Sequence, residues 1–418
     1  MFRYTFFVYL FFIFIFVPFK TIGQQLTLEQ AITEARTRNP ELMKIKQELQ
    51  ATKAAFWEGV SPENPKLFSE FEGIPRSRHS LSDYGERKVG VVQEFEFPLA
   101  YVYKGKWHQS EKNRKMAEYV SSENRVITEV KKKFYRVLLL KNQLQLYGEI
   151  TNLTQELYRK AKIRVEAGES PSYDALKVKV DLAEVENRAL AIKKELDVTL
   201  YDFALLSGRK RIESVEIEGQ LLYTPISLNQ DSLKNIALEK HPVLRQMLEH
   251  FNQHKAERNL SWIGLMPNFE LRYFEQEFQN EPLAKTWGAE IGLSIPLWFF
   301  MKDQGKIRSA NYRLYAANWN YELEKRKLLF KIEEGYSKLL LAEKQVQNYQ
   351  ENVLKEVEEL VRIATRSYEE GEMGYIEVAE ALRTLNRAKA GYSEALYEFA
   401  SAQAELERAV GVSLFNHY

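Results

Sequence analysis

Two pairs of side chains have the residue types and the spacing for chemistry at a helix surface. His250 and His254 stand four residues apart, and Glu377 and Glu380 stand three apart, in stretches with helical patterning. Residues at these spacings share one face of a helix. Two imidazoles so placed have the spacing of metal ligands, whereas clustered carboxylates would attract cations and repel anions.

We interpret the first pair as two solvated histidines and assign no metal site, although metal binding by this pair remains the alternative. A single pair of this kind, with no third histidine or carboxylate ligand, is common in helices. The second pair follows the glycine-bearing break "RSYEEGEMGYIEV", so Glu377 and Glu380 would lie on one face of the helix that begins there. Two solvated helix glutamates remain the alternative.

Other motifs with a chemical mechanism are missing from the sequence. It contains no glycine-rich phosphate loop, no HExxH and no nucleophile motif, so we expect neither an enzyme nor a bound cofactor. Cysteine is absent, which excludes disulfides, thiolate catalysis and zinc–thiolate sites. It also excludes a lipobox cysteine, and with it an N-terminal lipid anchor.

The N-terminus has the layout of a secretory signal peptide. Arg3 is followed by an apolar run from Phe6 to Val17 and by small residues at Thr21 and Gly23. We therefore predict a signal peptide over residues 1–23. The apolar run is shorter than the ~20 residues of a membrane-spanning helix, although an uncleaved anchor remains the alternative.

The mature chain is close to electrically neutral. Removing Arg3 and Lys20 from the 59 lysines and arginines leaves 57, against 58 aspartates and glutamates. This balance gives no indication of a nucleic-acid partner.

The sequence is a tandem duplication. A shift of 202 residues superimposes three markers near the start of each half, and a shift of 203 superimposes two glycines near its end. The matched pairs are Ala35 with Ala237, Pro40 with Pro242, Leu42 with Leu244, Gly168 with Gly371, and Gly208 with Gly411. We therefore expect one unit built of two repeats, about residues 24–220 and 221–418.

Each repeat is expected to hold helices and a β-hairpin. Helical patterns broken at Asn39-Pro40 and at His241-Pro242 open the two repeats. Alternating patterns then predict four strands near residues 66–73, 87–98, 268–276 and 286–297. One face of these strands is apolar and aromatic and the other is polar, acidic or small, as in a membrane β-barrel. A soluble sandwich with its apolar face packed inward is the alternative; a barrel would require an oligomer, because four strands cannot close one.

Very long helices follow the hairpins. Residues 105–166 contain no proline, which predicts a helix about 93 Å long if it is continuous. In the second repeat an apolar stripe has coiled-coil spacing. It comprises Leu328, Ile332, Leu339, Ala342, Val346, Tyr349, Val353, Leu360 and Ile363. The breaks at Gly168 and Gly371 would join antiparallel helices at the end farthest from the strands.

This organisation resembles the TolC family of outer-membrane efflux proteins over residues 24–418. The resemblance is carried by the opening "TLEQAITEARTRNPEL", by Pro98 and Pro296 where strand passes into helix, and by A-x6-G at Ala161 and Ala364. It implies a mainly α fold with a small membrane β-barrel portion. Three chains would close a 12-stranded barrel above an α-helical periplasmic tunnel of long antiparallel coiled-coil helices.

The resemblance also implies a function and partners. The chain would be the passive outer-membrane exit duct of a tripartite efflux system, a homotrimer in contact with outer-membrane lipid and extending into the periplasm of a Gram-negative bacterium. A periplasmic adaptor would connect it to an inner-membrane pump of the RND type, and metal cations or drugs would be the substrates. The stretches "ENPKLFSEFEG" and "YEEGEMGYIEVAEALRTL" are more similar to the heavy-metal branch, the CusC- and CzcC-like proteins. A type I protein-secretion channel and a periplasmic coiled-coil adaptor or structural protein are the alternatives.

Site residues follow from the same resemblance. Glu377 and Glu380 would form an acidic pore gate at the periplasmic entrance. Turn chemistry and the helix dipole give structural reasons for the glycines and arginines at the breaks. The residues implied to dock the adaptor are Arg164, Gly168, Ser170, Asp174, Arg366, Gly371 and Tyr375.

Overall fold

The computed structural model describes residues 24–77, 80–209, 215–298 and 300–415. The predicted signal peptide lies outside the described residues. The elements of the first repeat are β1 (Gln24–Leu26), α1 (Leu28–Arg38), α2 (Pro40–Val60), β2 (Lys66–Glu72), β3 (Glu86–Phe95), α3 (Pro98–Glu166), α4 (Ser172–Ser207) and β4 (Val215–Ile217). Those of the second repeat are α5 (Gln230–Lys240), α6 (Pro242–Ile263), β5 (Asn268–Phe278), β6 (Glu281–Ser294), α7 (Lys302–Asn348), α8 (Leu354–Glu369) and α9 (Tyr375–Val410).

The hairpins of the two repeats form one antiparallel sheet in the order β2-β3-β5-β6. The strands differ from the predicted ranges mainly at their ends. β3 stops at Phe95 because Pro98 begins α3 at its first helical position. β6 stops at Ser294, two residues before Pro296, since proline cannot donate to a ladder. Among the described residues, no strand pairs with the outer edges of β2 and β6.

The two faces of the sheet differ in chemistry. The strand register puts the even-numbered residues on one face, the polar face, where Lys66 contacts Glu94 at 2.6 Å and Arg272 contacts Glu270 at 3.4 Å. The odd-numbered residues form the apolar face. Its exposed members include Leu67, Leu271, Tyr273, Trp287, Ile291 and Leu293. An exposed apolar face of this extent marks a surface that is covered in the functional protein.

The long helices form two antiparallel hairpins. α3 runs for 69 residues without interruption, about 100 Å, and α4 packs back along it. In the second repeat α7 and α8 are joined end to end and α9 packs back along both. Among the described residues, no helix combines the length and the apolar character that crossing a bilayer requires.

A π-helical turn at residues 349–353 changes the apolar stripe of the second repeat. Such a turn inserts one extra residue into the helix. Leu360 and Ile363, predicted to lie on the stripe, are about half exposed (45% and 48%), whereas Val357 and Ala364 are buried. The heptad prediction is therefore correct as far as Val346 and wrong by one residue beyond the turn. Tyr349 fits there because Gly391 on α9 has no Cβ: one built at Gly391 would lie 2.3 Å from the tyrosine hydroxyl.

The main hydrophobic core lies at the middle of the long helices, between the sheet and the two glycine-bearing breaks. It gathers the central part of α3, the C-terminal ends of α4 and α9, and the short helices α1 and α5. Its largest fully buried side chains include Phe203, Phe399, Leu139 and Leu339.

Within this core, the same junction between a capping side chain and the end of a returning long helix occurs once in each repeat. Asn39 caps α2 by accepting from the amides of Glu41 and Leu42, and its side-chain amide donates to the carbonyl of Leu206 at 2.8 Å. His241 caps α6 in the same way. Its Nδ1 accepts from the amide of Val243 at 3.2 Å, so Nε2 carries the proton and donates to the carbonyl of Arg408 at 3.3 Å. Each capping side chain therefore also fixes the end of a returning long helix.

A buried ion pair between α3 and α9 joins the two repeats, although the internal duplication does not require such a pair. Lys131 on α3 and Glu407 on α9 are 4% and 7% exposed, and Lys131 Nζ lies 2.5 Å from Glu407 Oε2. The other carboxylate oxygen, Oε1, accepts from Ser413 Oγ and from the amides of Leu414 and Phe415. The carboxylate is fully hydrogen bonded, so removing its cation would leave a charge buried without its counter-ion.

We expect Lys131→Met to destabilise the protein by about 3–5 kcal/mol, the cost of breaking a buried pair by removing one partner. Lys132→Met is the matched control, because the adjacent Lys132–Glu405 pair is part-exposed and such pairs contribute roughly 0–1 kcal/mol. Thermal unfolding of the detergent-solubilised variants measures the difference. Equal unfolding midpoints for the two variants would contradict the assignment.

Stability should also depend on pH through His241. Burial, and secondarily the charge of Lys331, lower the pKa of His241 from its ordinary 6.5. Below pH 6.5 the unfolded chain then binds more protons than the folded one. Neutral His241 therefore makes its full contribution to the free energy of unfolding above that pH, and this contribution is lost as the pH falls below it. His241→Asn copies the cap that Asn39 makes in the first repeat and should flatten this part of the stability profile. A midpoint difference between wild type and variant that does not change from pH 8 to pH 5 would refute the role.

Candidate functional site at the helical tips

The two glycine-bearing breaks fold as the same turn. We name residues 164–174 the first tip and residues 366–377 the second tip. The amide of Glu169 donates to the carbonyl of Arg164, and the amide of Glu372 donates to that of Ser367, each at 2.9 Å. Gly168 and Gly371 have φ values of +74° and +79°. These are the hydrogen bond and the left-handed residue of a glycine-terminated helix, which is why both breaks need glycine.

The predicted docking residues of the first tip lie on one partly exposed surface. The Arg164 guanidinium lies 5.3 Å from the ring centre of Tyr368, which belongs to the second tip, and its Nε lies 3.7 Å from Glu169. Ser170 donates to the carboxylate of Asp174 at the start of α4. Arg164 therefore contacts both tips, which the sequence did not indicate.

The second tip differs from its prediction at Tyr375. Arg366 is exposed and pairs with Glu370 at 2.9 Å, and Gly371 is exposed, as a docking surface requires. Tyr375 is only 5% exposed and packs against Ala161 and Val178 of the first repeat. Tyr375 is therefore not an exposed docking residue, because its ring fills the core between the two tips.

The predicted gate residues are exposed but not equivalent. Both lie near the start of α9. Glu380 is 3.4 Å from Arg387 and 3.6 Å from Arg383, so two cations compensate its charge. Within the described part of the chain Glu377 forms no ion pair. Of these two residues, Glu377 thus carries the negative charge that no neighbouring cation among the described residues compensates.

A buried cluster between α4 and α9 lies directly behind these residues. Asp181 on α4 is 9% exposed; it accepts from Arg383 Nη2 at 2.5 Å and from the Tyr375 hydroxyl at 3.4 Å. We name these three residues the Asp181 cluster. Burial and the Asp181 charge raise the pKa of Tyr375, so it stays a neutral donor. Although burial opposes the charge of Arg383, Asp181 and Glu380 outweigh that effect and raise its pKa.

Asp181 and Arg383 are not among the residues predicted from the sequence. One signal was present, since Asp181 is a lone acid three residues after the buried Val178 and so falls near the apolar stripe of α4. A buried acid needs a partner, but its partner is 202 residues away, on α9. The sequence alone gives no means of choosing Arg383.

The histidine pair lies far from the tips, on α6. The two rings are perpendicular with centres 4.6 Å apart, and His254 Nδ1 lies 2.9 Å from Glu257 Oε2. Both side chains are half-buried and so are only partly exposed to solvent. Burial, with the charges of His254 and Arg114, lowers the pKa of His250. Over the described ranges no group of three or more histidines and acids is arranged to hold a metal ion.

Known proteins are similar to this chain in sequence or in fold. The cobalt-zinc-cadmium resistance protein CzcC of Cupriavidus metallidurans is 22% identical over 392 residues, covering 92% of this chain and 90% of the relative. The outer-membrane channel OprN has a TM-score of 0.80 at 15% identity, covering 92% of this chain and 89% of that one. The transmembrane channel CusC has a TM-score of 0.78 at 15% identity, covering 94% of each chain. The predicted fold class is confirmed by these likenesses.

The family model of outer membrane efflux proteins matches residues 31–209 and 233–412, most of the chain and one stretch in each repeat. The chain therefore belongs to the outer membrane efflux protein family.

Proposed function

We propose that three copies of this chain form the outer-membrane exit channel of a tripartite efflux system. The observation that carries the proposal is the four-stranded sheet, which has one apolar face, one charged face and two free edges. Lipid offers no hydrogen bonds, so every backbone N–H and C=O group of a spanning strand must pair within the protein. The edges of β2 and β6 must therefore meet other strands. Three sheets of four strands would close a barrel of twelve, with the apolar faces toward lipid.

Divalent metal cations are the cargo that we propose. The polar face, which would line the barrel, carries three cations, Lys66, Lys88 and Arg272, against a larger set of acids. The acids are Glu70, Glu72, Glu86, Glu94, Glu270 and Glu290. An acidic lining favours cations over anions. The relative in Cupriavidus metallidurans is named for resistance to cobalt, zinc and cadmium, which supports the same class of cargo.

The second tip is the gate in this proposal. Three copies of Glu377 around the channel axis would narrow the periplasmic entrance and attract cations there. The Asp181 cluster would hold this end of α9 against α4 and so keep the entrance closed. Opening would then require the two helices to separate and Asp181 to lose Arg383 and Tyr375.

Docking and energy supply are assigned to other proteins. A trimer would present six tips around one mouth, where Arg164, Arg366 and the bare backbone at Gly168 and Gly371 offer a surface to the helices of a periplasmic adaptor. Side chains could not replace these glycines without strain, because φ is positive at both. An inner-membrane pump of the RND type would drive the substrate, and this chain would supply a passive duct with no chemical step.

We expect Glu377→Gln to lower the cation preference of the channel more than Glu380→Gln, because Arg383 and Arg387 already compensate Glu380. The double variant should conduct better and select less. Reversal potentials across a salt gradient in planar bilayers measure the selectivity. Glu372→Gln, at an exposed acid of the same tip, is the control. Currents and selectivity that stay unchanged in the double variant would overturn the gate assignment.

Breaking the Asp181 cluster should open the channel. Asp181→Ala removes hydrogen bonds to a charged group, worth about 2 kcal/mol per chain, or roughly thirtyfold in the ratio of closed to open states. We expect a higher open probability in single-channel recordings. Arg362→Gln is the control, since the Arg362–Glu359 pair on α8 is exposed. A variant with Asp181→Ala that stays as closed as the control would exclude the cluster from gating.

A further inference from the structure

The histidine pair on α6 is built into contacts with two other helices. His254 bonds Glu257 at 2.9 Å, and the second oxygen of Glu257 accepts from Arg313 on α7 at 2.6 Å. On the side toward α3, Glu111 binds Arg114 through both oxygens, at 2.6 and 2.8 Å, and accepts from Gln253 at 2.7 Å. The pair therefore lies in a polar layer in which Glu111 and Glu257 are each paired with an arginine.

The hydrogen bond to Glu257 determines which nitrogen of His254 is free. A carboxylate that accepts from Nδ1 holds the proton there and leaves the lone pair of Nε2 available. Metal-binding histidines in proteins are oriented by such a carboxylate, which also makes the ring more basic. Among the described residues no hydrogen bond occupies Nε2 of His254 or either ring nitrogen of His250.

The spacing lets the two rings meet at one ion. Side chains four residues apart on a helix are neighbours on successive turns, and the ring centres are already 4.6 Å apart. Zinc–nitrogen bonds are about 2.0–2.1 Å long, so side-chain rotations that bring the two free nitrogens together would suffice. The backbone of α6 would not have to move.

We propose that His250 and His254 bind one divalent transition-metal ion per chain, with Glu257 as the positioning residue for His254. Water completes the coordination, because the neighbouring acids are engaged by Arg114 and Arg313. Imidazole ligands without a free carboxylate select zinc, copper or nickel over magnesium and calcium. This inference does not depend on the proposed export function, since binding to the α6 pair needs neither a pump nor an open gate.

Titration calorimetry of the full chain, purified in detergent without an affinity tag, tests the site with zinc chloride and nickel chloride. We expect one ion per chain and no binding of magnesium at the same concentration. His250→Gln and His254→Gln should each remove the binding. Glu257→Gln should weaken it by about tenfold or more, as loss of an orienting carboxylate does in other metal sites.

Two further measurements guard against variants that fail to fold. His108→Gln on α3 removes a histidine that has no histidine partner among the described residues, and it should leave zinc binding unchanged. Zinc should raise the thermal unfolding midpoint of the wild type and of His108→Gln but not that of His254→Gln. Zinc isotherms of the two histidine variants that match the wild type would overturn the proposal, as would equal binding of magnesium. Metal-free conductance in bilayers tests the channel separately, so failure of one proposal is distinguishable from failure of the other.

Discussion

Helices of about 100 Å can hold their tips in place only if they are anchored along their length. Here the anchor is a capping side chain that forms hydrogen bonds with the backbones of two different helices. Asn39 and His241 each cap a short helix and also bond the last turn of a returning long helix. The fit is close: a Cβ at Gly208 would lie 2.3 Å from the carbonyl of Arg38, and one at Gly411 would lie 2.9 Å from the ring of His241. The positions of the sheet at one end and of the tips at the other follow from these two junctions.

The duplication preserves this junction but not the ways in which the repeats are tied together. Lys131 and Glu407 pair across the repeats, whereas the positions that correspond to them, Ile332 and Ala204, are apolar and buried. Asp181 likewise binds Arg383 of the other repeat. The ion pairs that break the internal symmetry thus connect α3 or α4 to α9. In this chain α9 is the helix that the first repeat constrains most strongly by charge.

Much of this fold could be predicted from sequence because its signals are local. Proline at a first helical position, glycine at a positive-φ turn and alternation along a strand each act within a few residues, and each recurs about 200 residues later. The features that were missed depend on distant partners. The resemblance implies a docking role for Tyr375, whereas contacts with Ala161 and Val178 of the first repeat place its ring in a core. The prediction of the stripe through Leu360 failed because a heptad pattern assumes a uniform helix. The π-helical turn that shifts the stripe begins at Tyr349, whose hydroxyl lies where a Cβ at Gly391 of another helix would stand.

The same non-local contacts show how two copies of one turn could take the different roles that we propose. Both tips share the hydrogen bonds around their glycine, so the turn itself would not distinguish a docking tip from a gating one. The difference arises in the helix that follows. α4 contributes a buried acid, and α9 contributes the arginine and the tyrosine that satisfy it, together with an exposed glutamate on the adjoining turn. Because a buried carboxylate is costly without its partners, any movement of α9 away from α4 must first supply other donors to Asp181, such as water. In the proposed channel, a closed entrance would therefore be the favoured state, and a partner docked at the tips would open it by changing the surroundings of Asp181.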